Sequence, residues 1–439
     1  MGESTKTTKV VETIALERVP DSERKKWSSI AFMWAGNVIC VPALMVGGMI
    51  ASGLTFTASI VAMIIGYVIV CIYMTFIGSQ AADLGRPTTV IFSRCFGTRG
   101  SGIAVGLILV IACTGWFAFQ TYVCGSSFAA ILNTYLGIDF PLWLSCLIWG
   151  IAMFITSVCG FGFIKILNII SVPLLIVILA YAVIYIFNQP GAISDIMNYI
   201  PPTPMPFVMG LTLTVSGFAV GAVICGDFTR YAKSRRDTAL SSFIGIVPLG
   251  VLTLVIGALL AIYAGNYDIT VMFSSMGIPI LGLLTLVLAT WTTNTANAYS
   301  AGIAAVNLFK LSDNKRAIAT LVVGIVGTIL AIAGVINYFT AFLSFITSFL
   351  PPMAGVIIAD YWIKGKGNFK SWRVWNGINW LGIISWVVGI IIAMTTTFFV
   401  PTINGIIASL LVYCLLVSVV KSKKVNPFAS IEETAAEAE

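Results

Sequence analysis

The stretch Ala35–Gly48, AGNVICVPALMVGG, interrupts a hydrophobic segment with one proline and three glycines. A second stretch, Ser216–Phe228, SGFAVGAVICGDF, places three glycines in another hydrophobic segment further along the chain. Both residue types weaken helices, so both segments are expected to be discontinuous. Glycine is also common in membrane helices as a close-packing residue, so one such segment would mean little. Two interruptions at corresponding places are typical of inverted-repeat transporters that bind their ligand at the breaks.

The composition predicts an integral membrane protein. The chain is 59% hydrophobic and only 9% charged, whereas soluble domains carry about 25% charged residues. Apolar runs long enough for spanning helices recur along the chain, which favours helices over a barrel. We count twelve: 28–54, 56–80, 103–132, 141–158, 163–187, 206–231, 240–264, 275–309, 317–336, 339–361, 377–399 and 402–420.

The predicted segments divide into two blocks of nearly equal length. Residues 28–187 hold the first five segments and residues 205–361 hold the next five. Because each block has an odd number of crossings, the two blocks must have opposite orientations. Residues 377–420 would add two further helices, and polar tails occupy 1–27 and 421–439. The predicted fold is therefore an all-α membrane protein of twelve transmembrane helices, a five-plus-five inverted repeat with two C-terminal helices.

The positive charges predict the orientation in the bilayer. All Lys and Arg residues fall in the tails or in the even-numbered connections, and the odd-numbered connections contain none. By the positive-inside rule both termini are cytoplasmic. The net charge of +7 thus reflects topology rather than binding to nucleic acid. We expect a multi-pass protein of the plasma (cytoplasmic) membrane with no cleavable signal peptide, and no obligate protein partner is evident.

Few side chains could support chemistry within the bilayer. The sequence has no histidine, and no carboxylate is expected near mid-membrane; Asp83, Asp227 and Asp360 lie near segment ends. The nine cysteines are scattered singly without metal-ligand spacing. A proton relay usually needs buried Asp, Glu or His. We therefore expect no enzyme activity and no organic cofactor, and favour Na⁺ over H⁺ as a coupling ion because neutral oxygens can bind Na⁺.

The most polar part of any predicted segment is Ala289–Ser300, ATWTTNTANAYS. The hydroxyls of Thr292 and Thr293 are candidate Na⁺ ligands, although a threonine in a helix can instead bond back to a carbonyl one turn earlier. One helical stripe, at i, i+3, i+4 and i+7, contains Thr290, Thr293, Asn294 and Asn297. The two asparagine carboxamides can both donate and accept hydrogen bonds, which suits a neutral ligand with amide-like edges.

A second candidate group lies in the third segment, in ACTGWFAFQTYV. Trp116 and Gln120 are four residues apart and therefore share one helical face. An aromatic ring beside a carboxamide would suit a flat heterocycle, with stacking on the ring and hydrogen bonds to the edge. Phe218, at the second interruption, could cover the opposite side. An interfacial anchor is the alternative role for a membrane tryptophan, but Trp116 lies near the middle of its segment.

With these residues in view, the chain resembles the nucleobase–cation symporter-1 family, nearest its purine–cytosine permease branch. The resemblance covers about residues 20–365. It is carried by GGMIASGL at Gly47–Leu54, GWFAFQ at Gly115–Gln120, DFTRY at Asp227–Tyr231, WTTN at Trp291–Asn294 and PPMAGVIIADYW at Pro351–Trp362. The family implies a LeuT-type five-plus-five repeat with two extra helices, and symport of a nucleobase or related heterocycle with sodium or protons.

Carried onto matching positions, the resemblance implies a set of site residues. The sodium ligands would be the carbonyls of Gly36, Ile39 and Ala289 and the hydroxyls of Thr292 and Thr293. The ligand-binding residues would be Trp116, Gln120, Gly217, Phe218 and Asn294, with Asn297 as a further candidate. Gln120 resembles hydantoin and allantoin carriers more than some cytosine permeases. The second asparagine of the hydantoin carriers would align at Ala298.

The expected function is import of cytosine or a purine with Na⁺ by alternating access. A hydantoin- or allantoin-type heterocycle stays open as the ligand. An amino acid is a weaker alternative, because broken helices can also hold a carboxylate. A channel is the alternative from another class, and paired broken helices with an aromatic pair are hard to place along an open pore.

Overall fold

The computed structural model describes residues 16–266, 276, 279–396, 398–421 and 426–428. The principal helices are α1 Trp27–Val38, α2 Val41–Ala51, α3 Phe56–Leu84, α4 Leu107–Leu136, α5 Leu142–Val158, α6 Phe161–Phe187, α7 Phe207–Val223, α8 Gly226–Thr229, α9 Arg235–Ala264, α10 Pro279–Leu308, α11 Arg316–Ile332, α12 Phe339–Phe349, α13 Pro351–Ile357, α14 Trp380–Thr395 and α15 Pro401–Val419. Short π-helical segments precede α4 (Ser101–Gly106) and follow α13 (Ile358–Lys364).

The structure confirms the all-helical prediction. Within the described ranges there are helices and one isolated bridge, but no strand. Each of the twelve predicted segments coincides with a helix or an interrupted helix. Seven helical stretches of the described chain are long and apolar enough to cross a membrane singly, and the bent pair α1–α2 makes eight. Helices α5, α7 and α14 are shorter apolar helices. Most of both predicted tails, 1–15, 422–425 and 429–439, lies outside the described residues.

The helices pack in two main groups. Helices α1, α2, α3, α7 and α9 pack extensively against one another, and so do α4, α5, α10 and α11. Direct contact between these groups is concentrated where α1 lies against α10. Helix α6 touches both groups, and α14 and α15 pack on each other and on α13. The packing therefore leaves a seam between two helix groups, with the interrupted helices α1–α2 along it.

Both interruptions occur at the same short sequence. Helix α1 ends at Val38, and α2 begins at Val41 after a bend of 58°. Helix α7 ends at Val223, and α8 begins at Gly226. The residues at these breaks are Gly36-Asn-Val-Ile-Cys40 and Gly221-Ala-Val-Ile-Cys225, so each helix ends at the valine of a Gly-x-Val-Ile-Cys repeat. Of the other predicted interrupting glycines, Gly47, Gly48 and Gly217 lie inside regular helix, and Gly226 is the first residue of α8.

Gly47 serves close packing instead of interruption. A Cβ atom on Gly47 would lie 2.0 Å from the Leu254 carbonyl oxygen, and one on Gly257 would lie 2.1 Å from the Leu44 carbonyl oxygen. The backbones of α2 and α9 therefore touch directly, as small residues allow in membrane helices. This contact holds the second half of the broken helix against a long continuous one.

We expect Gly257→Ala to destabilise the protein, because the added methyl would force α2 and α9 apart. Overpacking of this kind costs about 1–3 kcal/mol, so the unfolding midpoint in detergent should fall measurably. Gly162→Ala is the matched control, since a Cβ at Gly162 meets nothing within 4 Å. Equal midpoints for the two variants, measured by loss of the monodisperse peak on heating, would contradict direct backbone contact.

Candidate functional site

A cavity lies between the two helix groups at the level of the first interruption. On the first group it is lined by Trp34, Asn37, Cys40, Pro42, Gly217, Phe218, Val220, Gly221 and Ile224. On the second group it is lined by Trp116, Gln120, Thr293, Ala296 and Asn297. Its volume is about 40 Å³, which corresponds to about three water molecules.

Helix α4 supplies an aromatic ring and a carboxamide to this cavity. Trp116 is 4% exposed and packs nearly perpendicular to Phe339 and Phe342, at ring-centroid distances of 6.0 and 5.5 Å. Gln120 lies one turn further on and is 1% exposed. Its Oε1 atom has no hydrogen-bond partner among the described residues. A buried, unsatisfied carboxamide oxygen on a residue that lines a cavity is a candidate acceptor for an N–H group of a ligand.

Helix α7 supplies the facing wall. Gly217 and Phe218 both line the cavity. The Phe218 ring contacts Trp34 edge-on at 6.1 Å and Tyr67 at 6.2 Å. It also lies close over Gly221, where a Cβ atom would approach the ring to 2.7 Å. Phe218 and Trp116 therefore line the same cavity, one from each helix group.

Oxygen atoms converge where the end of α1 meets α10. The Thr292 hydroxyl lies 2.9 Å from the Gly36 carbonyl oxygen and 3.1 Å from that of Ala289. The Thr293 hydroxyl lies 3.4 Å and 3.1 Å from the same two oxygens. Carbonyls at a helix C-terminus have no intrahelical partner, and the helix dipole adds partial negative charge there. This oxygen cluster has the neutral ligands that a small monovalent cation accepts.

The oxygen cluster and the cavity share residues. Thr293 lines the cavity, and its hydroxyl is also 3.4 Å from the Asn37 carbonyl oxygen. The Asn37 residue lines the cavity as well. Ile39, the remaining predicted cation ligand, is the C-cap of α1 and lies in the break itself. The cluster and the cavity are thus contiguous across the seam between the helix groups.

The two asparagines of α10 have different surroundings. Asn297 lines the cavity, but Asn294 does not. The Asn294 Nδ2 atom donates instead to the Phe117 carbonyl at 3.1 Å and lies 3.2 Å from the Thr121 hydroxyl. Successive helical residues are about 100° apart, so a helix that turns Thr293 and Asn297 to the cavity turns Asn294 towards α4. The predicted stripe of four polar residues is therefore divided between the cavity and the packing of α10 on α4.

Thr290 belongs to the packing side of α10. Its hydroxyl donates to the Leu286 carbonyl at 2.7 Å, one turn earlier in the helix. This is the back-bonding geometry expected of a threonine inside a helix. Thr290 is fully buried and is absent from the cavity lining.

Comparison with known proteins assigns the chain to a protein family. Residues 18–415 match the family model described as permease for cytosine/purines, uracil, thiamine and allantoin. The chain belongs to this permease family. It is accordingly a transporter and not an enzyme, and its small-molecule ligand crosses the membrane in which the permease is embedded.

Curated relatives of the permease align over most of their length. The cytosine permease of Escherichia coli K12 is 26% identical over 421 residues, covering 95% of this chain and 97% of that protein. The hydantoin permease of Microbacterium maritypicum is 27% identical over 424 residues, covering 88% and 84%. The permease therefore belongs to the nucleobase–cation symporter family and is cytosine permease-like, as the sequence predicted.

Solved structures support the fold. The nucleobase-cation-symport-1 transporter Mhp1, closed with bromovinylhydantoin bound, matches with a TM-score of 0.80 at 23% identity, covering 96% of this chain and 99% of that chain. A Na⁺-coupled sialic acid symporter matches with a TM-score of 0.66 at 16% identity, covering 93% and 90%. At these identities the likeness concerns the fold alone.

The permease cavity includes residues that the sequence patterns did not single out. Trp34, Asn37 and Cys40 stand at three-residue intervals up to the break, and all three line the cavity. Their spacing on one face of a broken helix was the available signal. This spacing did not stand out in the sequence, because single tryptophan and asparagine residues such as Trp34 and Asn37 are ordinary in a membrane helix.

Buried carboxylates of the permease lie elsewhere. Asp227 is 1% exposed and accepts a hydrogen bond from the Thr88 amide at 2.9 Å. Asp360 is fully buried and accepts from the Tyr413 hydroxyl at 2.8 Å. The residues that line the cavity include no Asp or Glu. The groups around the cavity are therefore neutral, and can bind by stacking, hydrogen bonding and cation–oxygen contacts.

Proposed function

We propose that this permease imports a nucleobase, cytosine or a purine, together with Na⁺ by alternating access. The main support is that Thr293 belongs to both the oxygen cluster and the cavity wall. A cation bound to Thr293 and to the Gly36 carbonyl would tie α1 to α10 and so change the cavity beside it. Coupling requires that ion and base favour the same conformational state.

In this proposal the base stacks between the two cavity walls. Trp116 and Phe218 would cover its faces. Gln120, the Gly217 backbone and Asn297 would form hydrogen bonds with its edges. The sequence analysis named Asn294 for this role with Asn297 as a further candidate, and the proposal now assigns the role to Asn297. The unsatisfied Gln120 oxygen supports a ligand that carries an N–H group. Five polar and aromatic contacts without a charge suit an uncharged planar molecule.

A hydantoin- or allantoin-type heterocycle is the second candidate ligand. Gln120 favours it, because the sequence around that position resembles hydantoin and allantoin carriers, and a hydantoin permease is among the similar proteins. Such rings carry the same amide-like edges as cytosine. Proton coupling is the alternative to Na⁺; the absence of carboxylates from the described cavity lining weighs against it.

The proposed membrane arrangement follows the sequence prediction. Twelve crossings would form a LeuT-type five-plus-five inverted repeat from residues 28–187 and 205–361, with 377–420 added and both termini cytoplasmic. The shared Gly-x-Val-Ile-Cys sequence at the two breaks supports the repeat. The distribution of Lys and Arg supports the orientation in the plasma membrane.

We expect one or more planar heterocycles to bind, with Na⁺ strengthening the binding. The purified protein would be screened by thermal shift with cytosine, purines, uracil, hydantoins and allantoin, each in NaCl and in choline chloride. Ligands that raise the unfolding midpoint would then be followed as radiolabelled compounds into proteoliposomes. A bound ligand stabilises the folded state by an amount that grows with its concentration over Kd.

Amino acids serve as the comparison set in the same screen. Stabilisation by a zwitterionic amino acid but by none of the heterocycles would replace the proposed ligand class. Equal uptake in NaCl and choline chloride would refute sodium coupling while leaving the ligand assignment standing.

A further inference from the structure

Helix α6 connects the two helix groups at the oxygen cluster. It packs against α1 and α9 of the first group and against α10 of the second. Asn168 lies on the α6 face that meets α1 and is 1% exposed. A buried carboxamide in a membrane helix needs hydrogen-bond partners, so its contacts indicate its role.

The Asn168 carboxamide lies flat against the last turn of α1. Its Nδ2 atom donates to the Met33 carbonyl oxygen at 3.2 Å. A Cβ atom placed on Gly36 would fall 2.5 Å from both Cγ and Oδ1 of Asn168. The amide therefore occupies the space that a side chain at Gly36 would need, and touches the backbone of that residue.

Gly36 is held from two directions. The Asn168 amide lies on it from α6, and its carbonyl oxygen accepts from the Thr292 hydroxyl of α10 at 2.9 Å. The carbonyl oxygen of a residue at a helix end has no N–H of its own helix to align it. The direction of the Gly36 carbonyl thus depends on Thr292 and Asn168, and Asn168 restrains the helical turn that contains Gly36.

The second polar atom of Asn168 has no such partner. Oδ1 is buried and has no hydrogen-bond partner among the described residues. Leucine would fill similar space without that unsatisfied oxygen, so packing alone does not explain an asparagine here. In a low-dielectric interior, an unpaired carbonyl oxygen adds to the negative potential at the end of α1 and favours a nearby cation.

We propose that Asn168 is a positioning residue for the coupling ion: it orients the Gly36 carbonyl towards the Thr292 and Thr293 hydroxyls. This inference rests on the sodium coupling proposed above. Without the amide, the end of α1 is free to turn, and the ion loses one aligned oxygen. Sodium affinity falls, while the cavity walls that would contact the base keep their side chains.

The test uses sodium itself as the probe. Purified wild-type protein and Asn168→Leu are titrated with NaCl at constant ionic strength in choline chloride, and the unfolding midpoint is followed. We expect the sodium concentration for half-maximal stabilisation to rise about tenfold or more, equivalent to about 1.4 kcal/mol, with little change of the midpoint in choline chloride. Asn168→Ala, which adds no branched bulk, is titrated in parallel. If the leucine variant fails to fold, the sodium titration of the alanine variant tests the proposal.

Ser171→Ala is the matched control. Ser171 is also fully buried on α6, three residues further on, and its hydroxyl has no hydrogen-bond partner in the described chain. Its sodium titration should follow the wild type. A wild-type titration curve for both Asn168 variants would overturn the positioning role alone. The lack of any sodium-specific shift in the wild type would instead overturn the proposed sodium coupling, and the positioning role with it.

Discussion

Replacing Thr293 with alanine should raise the sodium concentration for half-maximal uptake by about ten- to a hundredfold, equivalent to about 1.4–2.8 kcal/mol. The hydroxyl lies within 3.4 Å of the Gly36 and Asn37 carbonyl oxygens and 3.1 Å from that of Ala289. Its removal deletes one of the two hydroxyls in the oxygen cluster. The change would be measured as uptake of a responding radiolabelled heterocycle into proteoliposomes, with NaCl varied against choline chloride.

Two variants of α10 make this measurement specific. Thr293→Ser keeps the hydroxyl and should remain close to wild type. Thr290→Ala removes a hydroxyl one turn earlier that donates to the Leu286 and Val287 carbonyls and is not part of the oxygen cluster, so its sodium dependence should not change. If Thr290→Ala and Thr293→Ala had the same sodium dependence, the oxygen cluster would not be the sodium site.

Replacing Trp116 with alanine should weaken ligand binding by about 5- to 150-fold. Stacking of a base on an aromatic side chain is worth about 1–3 kcal/mol in nucleic-acid complexes, and we expect a similar value here because Trp116 is almost wholly buried in the cavity wall. The Kd of the heterocycle would be measured at saturating sodium. Stabilisation by sodium alone should be retained, because the ring is absent from the oxygen cluster.

Trp143→Ala is the control for loss of a tryptophan. Trp143 lies near the start of α5, is 54% exposed and is not part of the cavity lining. Trp116→Phe should give an intermediate Kd, since a smaller ring still stacks. Unchanged ligand affinity in Trp116→Ala would remove this side chain from the binding site, whatever the result for sodium.

Much of the fold was predictable because membrane helices must satisfy their backbone internally. That constraint makes long apolar runs nearly equivalent to helices, and all twelve predicted segments coincide with helical residues. The exact breaks were less predictable. Glycines and proline indicated the broken segments, but Gly47 lies inside α2 because it is needed for contact with α9.

The candidate site was predictable in part. Trp116 and Gln120, four residues apart, do face one cavity, because both belong to a single continuous helix. Thr292 and Thr293 lie beside the Gly36 carbonyl, as the family resemblance implied. Asn294 illustrates the limit of helical periodicity. A stripe of four polar residues covers more of the helix surface than one cavity can contact. The spacing of the residues does not indicate which side of the stripe faces the cavity.

By itself the sequence determined a helical membrane protein of the nucleobase–cation symporter family, with its polar residues concentrated on a few segments. These properties follow from composition and local motifs, which do not depend on distant contacts. Only the tertiary structure decided that Asn297 and not Asn294 lines the cavity, that Trp34 and Asn37 join it, and that Asn168 lies on Gly36. Such choices depend on the rotation of each helix and its distance from its neighbours. Both are set by packing between residues far apart in the chain, such as Gly47 against Leu254, which local periodicity does not contain.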